Sequence, residues 1–394
     1  MIVILAIGNE VVSGQILNRN GAFIAEELTR RGFTIAAQNS VRDDNVTIKK
    51  AFDEAFEKGD IVIVTGGLGP TVDDLTRDAA AEYFESPLHL DENIKAELIE
   101  RFKGRVLSVD HQATVPDKAK VIPNQVGTAS GFLFEEKGKV LILMPGIPSE
   151  MITMFKESVI PYIEKLSLPK LHIARVNLLN LPESKVDPAL RLLKDLEVGI
   201  YPQAGILNVI LRSEVTEKLN EAHNQLKTLF KDNLFEAESG KIEEAVHNKL
   251  TSLKKTLSLA ESMTGGALSA RLTAIPGSSA YYLGGIVSYS NEAKVNLLGV
   301  PKELIQTDGA VSESVAKAMC LGAKEKFKSD YALSVTGVAG PTGGSDLKPI
   351  GLVWCALATP TGVKTWKLEG KSNRALIIER CANSLLSELY LQLL

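Results

Sequence analysis

Cysteine and histidine are scarce in this chain of 394 residues. It contains five histidines and three cysteines, Cys320, Cys355 and Cys381. The cysteines do not have the spacing of metal ligands, and an odd number of free thiols is typical of a reducing compartment. We therefore expect a cytoplasmic protein whose cysteines are free.

Long apolar runs and a strong charge of either sign are also missing. No stretch of 18 apolar residues occurs, which argues against a membrane-spanning helix. The opening run MIVILAI lacks a basic flank and a cleavage site, so it predicts a first strand and not a signal peptide. The net charge of −4 provides no electrostatic footprint for wrapping nucleic acid. We expect neither a membrane nor a nucleic-acid partner.

The composition and length are those of a globular protein with two or three domains. Apolar residues make up 45% and charged residues 23% of the chain. Strand and helix signals alternate from the start, and the strands are apolar throughout, which favours parallel sheets covered on both faces. We predict two three-layer α/β domains with mostly parallel sheets, joined by a small α+β domain, with the boundaries 1–165, 166–240 and 241–394. Within the first domain the predicted strands are 2–7, 33–37, 60–65 and 139–144, and the predicted helices include 20–31 and 46–58.

Three glycine-containing loops follow predicted strands of the first domain: residues 8–10 (GNE), 65–71 (TGGLGPT) and 145–148 (PGIP). Ligands of open parallel sheets bind beyond the carboxyl ends of the strands. Glycines there let backbone N–H groups approach a phosphate. The pattern is neither G-x-G-x-x-G nor a P-loop. The predicted nucleotide-binding residues are Gly66, Gly67, Gly69, Pro145 and Gly146.

Four carboxylates follow the same strands, namely Glu10, Asp43, Asp73 and Asp74. Together they could hold Mg²⁺ or a similar divalent cation against a diphosphate. The alternative is that Asp73 and Asp74 only favour the start of the next helix electrostatically. The residues alone leave both interpretations open.

The segments GNEVVSGQILNRN, VTGGLGPTVDDLTRD and LMPGIPSEM resemble the signatures of the N-terminal domain of the CinA (competence/damage-inducible protein A) family, which is itself similar to molybdopterin-binding domains. The resemblance implies an ADP-ribose pyrophosphatase that uses a divalent cation. One position departs from the family pattern: Ser130 replaces the usual proline in the loop 127–132 (GTASGF), so the rigidity of that loop is in question.

In the last domain, Ser262 lies where the predicted strand TLSLAE turns into a predicted helix. Backbone N–H groups at such a turn can stabilise an oxyanion, which would suit a nucleophilic serine. The alternative is that Ser262 caps the helix.

A nucleophilic serine needs a base, and no histidine follows His247. This argues against a Ser-His-Asp triad within the domain and leaves a lysine with a lowered pKa as the base. The segment 288–294 (SYSNEAK) supplies Tyr289 and Lys294. Burial, or a nearby cation such as Arg374, would have to lower the lysine pKa from its usual value of about 10.4. The alternative is a solvated lysine at the start of a helix.

The segments LAESMTGG, IPGSSAYY, IVSYSNEAK, DGAVSE and VTGVAGPTGGSDLKPIGLVW resemble the C-terminal domain of the CinA family. That resemblance implies a nicotinamide-mononucleotide deamidase that needs no cofactor, with Ser262 as nucleophile, Lys294 as base and Tyr289 as a further catalytic residue. It also implies a homo-oligomer, such as a dimer. The implied substrate-binding residues are Thr264, Gly265, Gly266, Ser279, Thr336, Gly337 and Arg374, although Arg380 lies close to Arg374 in the sequence.

A second hypothesis belongs to another functional class. The chain would be a non-catalytic nucleotide- or pterin-binding protein that acts in competence or in the response to DNA damage. The presence of both Ser262 and Lys294 argues against it.

Overall fold

The computed structural model describes residues 1–103, 105–106 and 108–394. The chain divides into two compact units, Met1–His172 (unit 1) and Ile173–Leu394 (unit 2). The three-part division at residues 165 and 240 stays a prediction, because residues 173–240 cluster with those that follow them. Across the described residues, no helix is both long enough and apolar enough to cross a membrane.

Unit 1 is built on one six-stranded sheet and a separate pair of antiparallel strands. Its strands are β1 (Ile2–Ile7), β2 (Ile35–Val41), β3 (Ile61–Thr65), β4 (Leu88–Leu90), β5 (Thr114–Pro116), β6 (Ala119–Ile122), β7 (Gly131–Glu136) and β8 (Lys139–Met144). The main sheet has the order β2-β1-β3-β8-β7-β6, and β4 pairs with β5. Strands β2, β1, β3 and β8 are parallel, whereas β7 is antiparallel to both of its neighbours.

Helices cover both faces of this sheet, because its central strands are apolar on both sides. Val3 and Leu5 of β1 face one core, and Ile2 and Ile4 face the other. The helices are α1 (Asn9–Val12), α2 (Arg19–Arg30), α3 (Asn45–Phe56), α4 (Thr76–Tyr83), α5 (Glu92–Phe102), α6 (Val109–Gln112), α7 (Pro148–Met154) and α8 (Ile160–Lys165), with a π-helical turn (Phe155–Val159) between the last two.

The second strand differs from its prediction. It was expected at 33–37 and lies at Ile35–Val41. Because β2 is an edge strand, its residues are alternately partly buried and exposed. Polar Gln38, Asn39 and Ser40 are therefore tolerated within it. Phe33 is buried ahead of the strand. The apolar residues that predicted this strand therefore placed both of its ends too early in the sequence.

Unit 2 contains the predicted small α+β region. Its strands are β9 (His172–Leu179), β10 (Glu197–Gln203), β11 (Ile206–Ser213) and β12 (Leu234–Phe235), in the order β10-β11-β9-β12. Its helices are α9 (Glu183–Leu190) and α10 (Thr216–Leu229), followed by a short 3₁₀ turn (Lys231–Asn233).

The rest of unit 2 is a three-layer α/β arrangement. Its strands are β13 (Leu257–Glu261), β14 (Tyr282–Val287), β15 (Tyr331–Gly337), β16 (Val353–Ala358) and β17 (Val363–Leu368). The sheet order is β14-β13-β15-β16-β17, with β14, β13 and β15 parallel and the other pairs antiparallel.

Helices again cover both faces. The elements are α11 (Ile242–Leu253), α12 (Ala267–Thr273), a 3₁₀ turn (Ser278–Ala280), α13 (Asn291–Leu298), α14 (Lys302–Thr307), α15 (Glu313–Phe327) and α16 (Arg374–Gln392). Helices α11 and α16 share one core, and α15 packs in the other. The predicted fold class, α/β with mostly parallel strands, is confirmed.

Candidate active sites

Ser262 and Lys294 meet beyond the carboxyl ends of β13 and β14. Ser262 directly follows β13, and Lys294 lies in α13, which begins shortly after β14. The Lys294 Nζ atom is 3.0 Å from the Ser262 Oγ atom. The exposed fractions of Lys294 and Ser262 are 1% and 7%. The prediction that these two residues come together is confirmed, and the alternative of a solvated lysine is wrong.

The amine of Lys294 is also held by backbone carbonyls. Its Nζ atom lies 2.7 Å from the Ser288 oxygen and 3.5 Å from the Tyr289 oxygen. Burial, rather than the positive charge of Arg374, lowers the pKa of Lys294, because the ammonium form loses its hydration. A neutral amine can donate N–H groups to the carbonyls and keep its lone pair for the Ser262 proton.

Ser262 does not cap a helix. Helix α12 begins at Ala267, and the Glu261 carboxylate, which is 1% exposed, takes its first donors. Glu261 accepts hydrogen bonds from the amides of Gly266 (3.0 Å), Leu268 (3.1 Å) and Ser269 (2.8 Å). The alternative interpretation of Ser262 is therefore wrong. Sequence reasoning missed Glu261, although a carboxylate just before a glycine-rich turn into a helix was a usable signal.

The turn after Ser262 leaves two amides open. Gly265 N–H donates to the Ser262 oxygen, and Gly266 N–H donates to Glu261, so neither is available to an oxyanion. Their positive φ angles of 62° and 96° shape the turn instead. In the described part of the chain, the N–H groups of Met263 and Thr264 have no acceptor. These two amides are the donors that could stabilise an oxyanion.

Thr264 also brings an unsatisfied side chain to this place. It is buried, and its Oγ1 atom has no hydrogen-bond partner among the described residues. A buried hydroxyl without a partner costs free energy, which a bound ligand can recover. This supports the prediction that Thr264 contacts substrate.

Arg374 and Tyr289 form the outer part of the site. Arg374 donates to the Tyr289 hydroxyl (3.1 Å) and to the Gly340 oxygen (2.9 Å). The Tyr289 side chain is 62% exposed, and its hydroxyl bonds to Arg374 rather than to Ser262 or Lys294. Arg380 instead donates to the Glu369 oxygen. Of the two arginines, Arg374 is the one beside Tyr289.

One predicted substrate-binding residue needs correction. Thr336 is 1% exposed and its hydroxyl donates to the Ala310 oxygen (2.8 Å), so that proton is not available to a ligand. Gly337, next to it, lies close to Met263: an added Cβ would lie 2.7 Å from the Met263 Sδ atom. Substrate binding by Gly337 stays a prediction.

Ser279 does not join this site within one chain. It precedes β14, whereas Ser262 follows β13, and the two strands are parallel. The two serines therefore lie at opposite edges of the sheet, about 20 Å apart at roughly 3.3 Å per strand residue. The sequence placed Ser279 in a hydroxyl-rich motif but did not say at which end of the next strand that motif would lie.

Unit 1 has a cavity of about 840 Å³ beyond the carboxyl ends of β1, β3 and β8. All of the predicted nucleotide-binding residues and all four predicted carboxylates line it: Gly66, Gly67, Gly69, Pro145, Gly146, Glu10, Asp43, Asp73 and Asp74. The three glycine-containing loops therefore converge as expected.

The backbone around this cavity is closely packed. Gly66 has a φ of 106°, and an added Cβ would lie 2.1 Å from the Ile7 oxygen. Asn20, in α2, donates to Thr65 Oγ1 (2.9 Å) and to the Gly146 oxygen (2.8 Å), which ties two of the loops together. Sequence reasoning missed Asn20, because its role depends on contacts with distant loops.

The carboxylates interact without forming a closed metal cage. Burial raises the pKa of Asp43, and the negative charges of Glu10, Asp73 and Asp74 raise it further. No three His, Cys, Asp or Glu side chains within the described residues converge as a metal-binding group. Magnesium often binds through one or two carboxylates plus water and substrate phosphate, and this open arrangement fits that mode.

Asp73 and Asp74 belong to the loop and not to the first turn of α4, which begins at Thr76. Thr71 organises them: its N–H donates to Asp74 Oδ2 (2.9 Å), and its hydroxyl lies 2.5 Å from an oxygen of each carboxylate. The structure therefore does not support the alternative in which they serve only the start of the helix.

Comparisons with known proteins agree with the two units. Residues 3–165 match the model of a probable molybdopterin binding domain, and residues 239–393 match that of the CinA C-terminal domain. A relative from Caldicellulosiruptor bescii, named as a competence-damage inducible protein, is 38% identical over 98% of this chain and 97% of its own length. A CinA-like protein from Gloeothece citriformis is 38% identical over 91% of this chain and 90% of its own length.

A solved structure is also similar to part of this chain. A competence/damage inducible protein from Agrobacterium tumefaciens is 38% identical, with 40% of this chain and 96% of that chain covered and a TM-score of 0.38. The alignments with the relatives from Caldicellulosiruptor bescii and Gloeothece citriformis each cover at least 90% of this chain and of the relative. The chain therefore belongs to the CinA family, and its first domain is molybdopterin-binding-like.

Proposed function

We propose that unit 2 hydrolyses the carboxamide of nicotinamide mononucleotide to give nicotinate mononucleotide and ammonia. The observation that carries the proposal is the buried contact of 3.0 Å between Lys294 Nζ and Ser262 Oγ. A serine hydroxyl is a weak nucleophile unless a base lies within hydrogen-bond reach, and burial prepares this lysine to be that base.

The reaction proceeds through an acyl-enzyme. Ser262 Oγ attacks the amide carbon while Lys294 accepts its proton, and the N–H groups of Met263 and Thr264 stabilise the oxyanion. Lys294 then donates the proton to the leaving nitrogen, and ammonia departs. Water, deprotonated by Lys294, attacks the ester and releases the acid and Ser262. Arg374, held beside Tyr289, is placed to bind the phosphate of the nucleotide.

Ammonia release from nicotinamide mononucleotide by the whole chain tests this proposal. We expect turnover by the wild-type chain and none by the Ser262→Ala variant. An inactive wild-type chain that still binds nucleotides would favour the non-catalytic hypothesis instead.

We also propose that unit 1 cleaves ADP-ribose at its pyrophosphate with a divalent cation such as Mg²⁺. The supporting observation is that Glu10, Asp43, Asp73 and Asp74 line one cavity together with glycine-rich loops. An anionic diphosphate does not bind such a cavity without compensating charge. Glu10, Asp43, Asp73 and Asp74 would hold the cation. When bound, the cation would supply the compensating charge and make a bound water more acidic. Release of AMP from ADP-ribose, with and without added metal, tests this proposal.

A further inference from the structure

The segment between β6 and β7 reaches the cavity of unit 1 from a side that the glycine-rich loops do not cover. Strand β6 is antiparallel to β7, and β7 is antiparallel to β8, so β6 and β8 end at the same edge of the sheet. Thr128 and Ala129 of this segment line the cavity. We call residues 124–129 the cavity-wall loop.

Asn124 holds the cavity-wall loop with both ends of its amide. Its Oδ1 atom accepts from the N–H groups of Val126 (3.0 Å) and Gly127 (2.7 Å). Its Nδ2 atom donates to the Ala129 oxygen (2.8 Å) and to Glu150 Oε2 (2.6 Å). The side chain is buried, and these four bonds need two donors and two acceptor sites. Aspartate has the same shape but cannot make the two donor contacts.

Two neighbouring helices hold the same loop. Arg101 of α5 donates to the backbone carbonyl oxygens of Asn124 (2.7 Å) and Gly127 (2.9 Å). Glu150 of α7 packs directly on Gly127, where an added Cβ would lie 2.0 Å from the Glu150 Cδ atom. The loop is therefore fixed by side chains, although Ser130 replaces the proline that is usual in the family.

The fixed loop presents unused donors to the cavity. In the described part of the chain, no hydrogen bond joins the N–H group or the hydroxyl of half-buried Thr128 to another protein group. Arg19 is the cationic side chain among the described cavity-lining residues, against five carboxylates including Glu150. Neutral donors are therefore valuable for an anionic group in this cavity.

We propose that Thr128 binds a phosphate oxygen of the nucleotide diphosphate through its N–H and hydroxyl groups, and that Asn124 is the positioning residue that aims it. This inference rests on the proposed pyrophosphatase function of unit 1. It adds a wall to the site that the glycine-rich loops do not supply.

The test compares Thr128→Val, Thr128→Ser and Asn124→Asp in the full-length chain with Mg²⁺ and ADP-ribose. Thr128→Val removes the hydroxyl at almost constant shape, so the KM for ADP-ribose should rise about tenfold or more with a smaller change in kcat, because a bond to a charged group is lost. Thr128→Ser should recover most of that loss. Asn124→Asp should raise KM in the same direction, and the exposed Asn93→Asp should not.

The outcomes separate the two proposals. If the wild-type chain neither binds nor cleaves ADP-ribose, the pyrophosphatase proposal fails, and this inference fails with it. If the wild-type chain is active but Thr128→Val matches it in KM, only this inference is overturned. If Asn124→Asp lowers the melting temperature and kcat without changing KM, Asn124 is structural and its positioning role is overturned.

Discussion

Lys294 carries an ionisable amine in a place with almost no access to water. Its folded-state pKa is lowered by burial, so the unfolded chain binds a proton more readily than the folded chain. This lysine therefore makes folding less favourable at every pH below its usual pKa, and the penalty disappears as the pH rises above that value. Burial of this amine therefore costs the protein some stability.

Replacing either partner of the pair should stop deamidation. We expect Lys294→Met and Ser262→Ala each to lower kcat by about a thousandfold or more, and the double variant to be little worse, because nucleophile and base act as a unit. Ammonia release from nicotinamide mononucleotide measures this. The exposed Lys302→Met, on α14, is the matched control. Near-normal turnover by Lys294→Met would mean that another group accepts the serine proton.

The activity should also depend on pH in one direction set by Lys294. Below the lowered pKa the amine is protonated and cannot accept the Ser262 proton, so kcat/KM should fall as pH falls through that value. Steady-state assays from about pH 6 to about pH 10 would show this limb. A rate that rises toward low pH would contradict a lysine base.

At this scale the sequence predicted the contact between Ser262 and Lys294 better than the residues that hold the surrounding backbone. The absence of histidine after His247 left a lysine as the base, and Lys294 is found there. Glu261 and Asn20 were missed because their roles consist of hydrogen bonds to amides and carbonyls that only the folded backbone brings near. Thr336 was misplaced for the same reason: its hydroxyl is already used inside the protein.

Among the elements, α12 has an unusual start, because the carboxylate of Glu261 supplies its cap from the end of β13. The same bonds fix the turn that carries Ser262. Stability of this helix and geometry of the nucleophile therefore depend on one side chain.

Glu261→Gln should affect both stability and turnover. An amide can accept only on one side and turns an N–H group toward the helix amides, so we expect a loss of about 1–2 kcal/mol in stability and a kcat lowered at least tenfold. Thermal unfolding and ammonia release measure the two effects. Asp91→Asn, at the carboxylate cap of α5 in unit 1, is the matched control. It should change stability little, because asparagine caps a helix about as well as aspartate, and it should leave deamidation unchanged.

Strand order decided where sequence motifs would meet. Strand β8 lies at its predicted residues, 139–144, because every residue after Lys139 in this central strand is apolar and buried. Edge strand β2 was displaced from its prediction because half of its residues face solvent. Within one chain Ser279 lies away from Ser262, because a motif before a strand and a motif after a strand look alike in sequence but lie at opposite edges of the sheet.

For the whole molecule, the two proposed activities use different chemistry in different units. We expect a chelator such as EDTA to abolish ADP-ribose cleavage, because the proposed reaction uses a divalent cation held by the cavity carboxylates, and to leave deamidation intact. Both activities can be measured in one preparation, with added Mg²⁺ as the control for recovery. Equal sensitivity of the two activities would refute this division.

Unit 2 should fold on its own, and a fragment that begins after residue 240 should be less stable. Leu179, Ile206 and Phe235 belong to the same apolar core as α11 and α16, and Asn383 donates to the carbonyls of Gln203 and Ala204. A fragment of residues 173–394 should therefore be folded and active, whereas residues 241–394 should be less stable by several kcal/mol. Circular dichroism melts and ammonia release decide between them. Equal stability of the two fragments would show that this packing is dispensable.

The open amides of Met263 and Thr264 make part of the proposed catalyst invisible to ordinary mutagenesis. Replacing Met263 by alanine removes buried packing against Gly337 but leaves the N–H group in place, so an alanine scan would report the lost packing and not the amide. The proposed donors are backbone N–H groups, and among the natural substitutions only proline removes a backbone N–H group. Replacing the amide between residues 262 and 263 by an ester would remove the Met263 N–H group and keep every side chain, although it also weakens the Ser262 carbonyl as an acceptor for Gly265 N–H.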